Sequence, residues 1–181
     1  DGLTIRDGKA PGFTNGGGIL NSGVLTVTNS TLTGHTSNNI GGGIYSTGTL
    51  AVISSTVTHN SGWKAAGIYN SGTLLLTGTL LENNSGMNDG GGIYNAGTSH
   101  LLMNTVSRNS AYFGGGIYNT GALTVTDSTV HANTSNSNGG GVDNRGNMTV
   151  QNSAFLSNTG AFGAGIANSG TLMVIGATFN A

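Results

Sequence analysis

Apolar and polar residues alternate along this chain in short bursts, and the bursts recur with a fixed period. Leu25-Thr26-Val27-Thr28 has the two-residue period of a strand with one face turned inward. Runs of Gly, Asn and Ser, residues that accept turn geometry, separate such bursts. The residue that ends each Gly-rich run falls at Ile19, Ile44, Ile68, Ile93, Ile117, Val142 and Ile166, at intervals of 25, 24, 25, 24, 25 and 24. Counting from that residue as position 0, position +8 is always aliphatic, from Val27 to Val174, and position +13 always apolar, from Leu32 to Phe179. Position +6 is apolar except at Ser99, and position +4 is glycine in every copy.

A unit this short cannot bury its own apolar face, but stacked copies bury a continuous core. The pattern therefore predicts an all-β chain, a right-handed parallel β-helix (β-solenoid) of about seven coils of 24–25 residues, each with two or three short strands. At the usual strand spacing the rod is roughly 30–35 Å long. Residues 1–15, with the turn-rich Asp7-Gly8-Lys9-Ala10-Pro11-Gly12, read as a partial first coil with a protruding insert, and 16–181 as the repeats. The invariant +4 glycine suggests a turn with positive φ.

Two polar rows belong to the same columns. Position +2 holds Asn21, Asn70, Asn95, Asn119, Asn144 and Asn168, with Ser46 the exception. Position +16 holds His35, then Asn60, Asn84, Asn109, Asn133 and Asn158. Amides stacked at ~4.8 Å can bond one another from coil to coil, so both rows are expected to form asparagine ladders.

The pairing of Gly-Gly-Gly-Ile with a later apolar-x-x-Asn resembles the repeat of chlamydial polymorphic outer-membrane proteins. Phe155-Leu156-Ser157-Asn158 has that family's Phe-x-x-Asn form, and Leu81-Glu82-Asn83-Asn84 and Val106-Ser107-Arg108-Asn109 are close variants. The wider Gly-Gly-Gly-Ile-Tyr-Asn pattern at 90–95 is similar to that of large bacterial surface proteins with parallel β-helix repeats. The resemblance covers nearly the whole chain and implies an extracellular or bacterial cell-surface setting.

Composition narrows the function. Of 181 residues only 6% are charged, and the net charge is −1. Five Lys and Arg cannot make a nucleic-acid footprint, and no apolar run is long enough to insert in a membrane. Without cysteine there is neither a disulfide framework nor a thiolate metal site. The chain opens and closes on residues that read as mid-coil, so it is expected to be a segment of a longer solenoid whose open ends self-associate.

Candidate surfaces are aromatic. Position +1 gives Tyr45, Tyr69, Tyr94 and Tyr118 in successive coils, pointing outward by alternation, and the row stops at Asp143 and Ala167. The shorter connectors carry Trp63, Tyr112 with Phe113, and Phe162, so these aromatics recur in every second coil. Both sets have two readings: rings that stabilise coil contacts, or an exposed interaction surface for a glycan or a host or cell-surface partner. A third row, Thr31/Thr33, Thr56/Thr58, Thr105/Ser107 and Thr129/His131, resembles an ice-binding face but breaks at Leu80/Glu82 and Ala154/Leu156.

Catalytic chemistry is not expected. The acids Asp1, Asp7, Glu82, Asp89, Asp127 and Asp143 share no column in adjacent coils, so the carboxylate pair a polysaccharide hydrolase needs is not visible. Arg108 and Arg145 read as solitary. His35, His59 and His131 lie near one corner, but an intervening coil separates His131 from the others, so no metal set and no cofactor are expected.

Overall fold

A computed structural model describes residues 2–180. These residues contain no helix; their strands pair in parallel and wind into a β-solenoid of about seven turns. Each of the first five coils gives one strand to each of four sheets, and the sixth gives none to the shortest of them. In the fourth coil these are Ile93–Asn95, Thr98–Leu102, Thr105–Ser107 and Ser110–Ala111. We name the sheets by their strands: the tyrosine sheet, the long sheet, the threonine sheet and the short sheet. The expectation of two or three strands per coil is thus corrected to four in the first five coils, while the sixth has three. The short-sheet strand, as brief as Ser85–Gly86, has too few residues for alternation to reveal it.

Register follows the repeat without slippage in three sheets. Ile68 pairs with Ile44 and Ile93, and Leu76 with Val52 and Leu101, so each position stacks on its own column. Positions 0, +6, +8 and +13 line the interior, and from Ile44 to Phe155 these columns are almost wholly withdrawn from water. At roughly 25 cal/mol per Å² of apolar area, this continuous burial is the main force holding coil to coil. Ser99, the polar exception at +6, is buried too, and its hydroxyl donates to Asn95 Oδ1 at 2.7 Å. It fits the core because the neighbouring ladder satisfies it.

The corners are made differently from the sequence expectation. The +4 glycines are not among the residues with positive φ. They are glycine because the coils approach closely there: a Cβ on Gly97 would fall on the carbonyl oxygen of Gly72 one coil below. Left-handed backbone sits at three other corners. One is position −3, a glycine such as Gly90 (φ 66°) in six copies and Ala65 (φ 52°) in the third. The second is position +10, at Asn29, Ser54, Gly78, Met103, Asp127, Asn152 and Gly176. The third is position +15, at Gly34, His59, Asn83, Arg108, Ala132 and Ser157. Each non-glycine residue held there costs on the order of 1 kcal/mol.

Both +10 and +15 precede a buried polar residue, and the bonds of that residue offset the strain. After +15 comes the +16 ladder: Asn84 Nδ2 donates to Asn109 Oδ1, Asn109 Nδ2 to Asn133 Oδ1 and Asn133 Nδ2 to Asn158 Oδ1, each at 3.0 Å. After +10 comes a row that the sequence reading missed, Ser30, Ser55, Thr79, Asn104, Ser128 and Ser153, all buried. There the side chain of one coil accepts from the backbone N–H of the coil before, as in Ser30 N to Ser55 Oγ at 3.1 Å and Thr79 N to Asn104 Oδ1 at 2.9 Å. The +2 row forms the third ladder, running from Asn70 through Asn95, Asn119 and Asn144 to Asn168 with Nδ2 to Oδ1 distances of 2.6–2.9 Å. Ser46 is too short to continue it, and the buried Oδ1 of Asn70 is left without a partner.

The N-terminal coil is more regular than expected. Thr4–Arg6 pairs with Thr31–Thr33, and Lys9–Ala10 with Thr36 and Ser37. The protruding insert therefore shrinks to the turn around Pro11, where Thr14 N and Oγ1 both donate to the Pro11 carbonyl.

Candidate functional site

The predicted surface residues divide between two neighbouring faces of the rod. On the tyrosine sheet the four rings stack along the axis: centroids are 4.8 Å apart for Tyr45 and Tyr69, 5.2 Å for Tyr69 and Tyr94, and 5.0 Å for Tyr94 and Tyr118. The spacing is that of the coils, so the fold itself sets the stack. The rings point outward, as alternation requires, but only the first three keep partial exposure and Tyr118 is buried.

The covering comes from the connector column at position −4, which the register places beside the rings. Its members include Lys64, Asp89, Phe113, Asn138 and Phe162. Lys64 Nζ lies 5.6 Å from the centre of the Tyr94 ring and 3.2 Å from Asp89 Oδ2. Above Tyr118 the stack is closed by a cation instead of a fifth ring. The Arg145 guanidinium sits 5.0 Å from the Tyr118 centroid and 5.0 Å from that of Phe113. It is held by Asp143, whose carboxylate accepts from Arg145 Nη2 at 3.0 Å and is only 2% exposed. Arg145 is therefore not solitary, and neither is Arg108, which donates to Glu82 at 3.0 Å. The first pair was within reach of the sequence: Asp143 and Arg145 are two apart, with Arg145 just past the strand Val142–Asn144. The second joins adjacent columns of neighbouring coils.

Electrostatics at this corner follow from burial. Desolvation raises the Tyr118 phenol above its usual value, with Asp89, Tyr94 and Asp143 adding to the rise and Arg145 opposing it. Tyr69 is raised by burial and by the neighbouring Tyr45 and Tyr94. Burial alone would lower the Arg145 value, but its hydrogen bond and ion pair with Asp143 reverse this and hold it above the ordinary range. The cluster is a closed set of paired charges and stacked rings. Beyond Arg145, where Asp143 and Ala167 stand in place of tyrosines, a cavity of about 430 Å³ opens beside Phe162, which is 67% exposed.

The short sheet presents the other face. Trp63 is 49% and Tyr112 46% exposed, and Met87 in the coil between them is more exposed still. Tyr112 stands edge-on to Phe113 with centroids 4.7 Å apart. Ser37, Asn38, Ser61 and Gly62 join Trp63 in lining a cavity of about 210 Å³, and Ser110, Thr134 and Asn136 join Tyr112 in lining a second of about 290 Å³. The two cavities share Ser85 and Met87, so they form one groove along the rod.

The remaining candidates are dispersed. His35 is fully buried in the +16 ladder; its Nδ1 accepts from Gly8 N–H at 2.9 Å and its Nε2 lies 3.1 Å from the Ile5 carbonyl. Desolvation lowers its pKa against the upward pull of Ile5 and Asp7. No group of three or more His, Cys, Asp or Glu able to hold a metal occurs among the described residues, and no helix is long and apolar enough to cross a membrane. The threonines of the eight-stranded sheet face outward, and the row is interrupted at Leu80 and Glu82 as the sequence has it. Compared with known proteins, the chain matches no family model, no curated protein and no solved structure.

Proposed function

We propose that this chain is a non-catalytic structural and adhesive β-solenoid, extracellular or on a bacterial cell surface, and that copies associate end to end. The observation that supports the assembly is the register: each position of a coil stacks on the same position of its neighbours, so a coil of one copy carries the column pattern that a coil of another can continue.

The non-catalytic reading is supported by the engagement of the acids. Asp89 is tied to Lys64, Glu82 to Arg108 and Asp143 to Arg145, so these carboxylates are neutralised by neighbours instead of facing a common cleft. The surface setting rests on the resemblance of Phe155-Leu156-Ser157-Asn158 and its variants to the chlamydial repeat. The fold gives that motif a physical meaning: Phe155 enters the core, Ser157 makes the left-handed corner and Asn158 joins the ladder. Electron microscopy across a concentration series tests the assembly. Rods of uniform width should lengthen with concentration. Rods of one length at every concentration would refute it.

A further inference from the structure

We propose that the groove on the short sheet binds a neutral polysaccharide chain laid parallel to the rod axis. This rests on the adhesive part of the reading above and not on end-to-end assembly, so the two can fail separately.

The groove has the two chemistries a sugar ring presents. Pyranose rings carry an apolar C–H face and a rim of hydroxyls, and sites for them pair an aromatic platform with short polar side chains. Here the platforms are Trp63 and Tyr112. The coil register, Ser61 to Ser85 to Ser110, places them two coils apart, or roughly 9.6 Å along the axis. That is comparable to the length of an extended disaccharide, so alternate sugars of one chain would meet the two rings. Between them Met87 offers a thioether at the middle coil. The floor is a row of hydroxyls, with Ser61 Oγ 3.2 Å from Thr36 Oγ1 and Ser110 Oγ 3.2 Å from Ser85 Oγ. Asn38 and Asn136 stand at its two ends. No charged side chain lines either cavity, which selects a neutral glycan over a uronate or sulfated one.

Both rings are held in place by their surroundings. Opposite Trp63 the pairing slips: Gly62 faces Ser37 while Lys64 faces Ile40, so Asn38 and Asn39 together oppose one residue. Such irregularities re-aim a side chain, and this one absorbs the alternation between 24- and 25-residue coils. Tyr112 is braced edge-on by Phe113, which is itself pinned under Arg145. A single exposed aromatic is ordinary on a protein surface. Two, on one groove and each fixed by its surroundings, form a preorganised platform.

Trp63 is the only tryptophan in the chain, so its emission reports directly on the groove. The test titrates the intact chain with cellohexaose, chitohexaose and mannohexaose, with a hexagalacturonate as the charged control, at low and high salt. At least one neutral hexasaccharide should give a saturable emission shift that is insensitive to salt. Tyr112→Ala should weaken it by about tenfold, Tyr112→Phe should restore it, and Phe162→Ala, outside the groove, should leave it unchanged. Calorimetry on Trp63→Ala should show a similar loss. Four results would overturn the proposal: no shift with any neutral sugar, a shift with the hexagalacturonate alone, a Tyr112→Ala variant that titrates like the parent, or displacement of the sugar by an extended threonine-rich peptide that binds more tightly.

Discussion

The tyrosine row and the Trp63–Tyr112 pair begin from the same sequence argument and end in opposite conditions. Both are aromatic, both lie outside the core columns, and both recur in step with the coil. On the tyrosine sheet a ring occurs in four successive coils, so each meets another ring within 5.2 Å and the row becomes its own packing partner. On the short sheet rings occur in alternate coils, with Met87 between them, and each stays half-exposed. Spacing along the axis, not orientation alone, decides whether an outward ring is consumed by the fold. What lies beside the column decides the rest: Lys64 and Arg145 close over the tyrosines, Arg145 also resting on Phe113, while the short sheet is flanked by serine, threonine and glycine.

The largest effect should come from the inward neighbour of the tyrosine row. Asn95 donates to Asn119 Oδ1 and the Ala122 carbonyl, and accepts from Asn70 and Ser99. Asn95→Ala strands several buried polar groups at once and should cost about 3–5 kcal/mol in urea unfolding. If the loss is no greater than for an exposed substitution, the ladder contributes little and the stack must hold that sheet. Tyr94→Ala removes a ring with neighbours above and below and the Lys64 cation over its face. Because Tyr94 is only half-buried, about 2 kcal/mol is expected, below the cost of a fully buried aromatic.

Arg145→Ala tests what closes the stack. It removes the partner of a buried Asp143 carboxylate and the cover of Tyr118, but the guanidinium is itself 39% exposed, so solvent screening limits the loss to about 1–2 kcal/mol. Its clearer sign is spectroscopic. Arg145 pulls the Tyr118 value down against burial, so Arg145→Met, which keeps the cover and removes the charge, should form tyrosinate at higher pH than the parent, read by ultraviolet absorbance. In the parent, Tyr69 and Tyr118 titrate above the ordinary value of 10.0 because the folded state favours the neutral phenol. The unfolded chain ionises first, so the stabilisation is whole below pH 10.0 and is lost as pH rises through the folded values. Chemical denaturation from pH 9 upward should show stability falling over that interval; a flat profile would mean the rings are as solvated as those of free tyrosine.

The columns were legible because stacking imposes identity at a fixed interval, and the +2 and +16 ladders for the same reason. The +11 row was not, since Ser, Thr and Asn do the same work there and share no single letter. The strain at +10 and +15 is also hidden: Met103, Arg108 and Ala132 occupy left-handed backbone that their types do not favour, held by their own N–H bonds to the next coil and by the bonds of the residue that follows. The +4 glycine misled because glycine answers two needs, positive φ and close approach, and a sequence does not say which. Exposure of the aromatics depended on the one-residue slip beside Trp63 and on the reach of Arg145 across to Phe113, neither of which a period can show.

The smallest effect expected on stability is the one that most sharpens the comparison. Trp63→Ala removes the largest side chain in the protein, yet its ring is half in water and the backbone beneath it is held by the sheet bonds of Ser61 and Gly62 to neighbouring coils. The cost should stay within about 0.5 kcal/mol, the range of surface substitutions. Tyr94→Ala, a smaller truncation, should cost several times more. If Trp63→Ala instead destabilises as much as Tyr94→Ala, the tryptophan is a packing residue like the tyrosines, and the groove loses its claim to be a surface kept open for a ligand. If the two differ as expected, size does not explain how stability is distributed along this rod. The position of a ring relative to its neighbours does, and the short sheet is the face on which folding leaves its aromatics unspent.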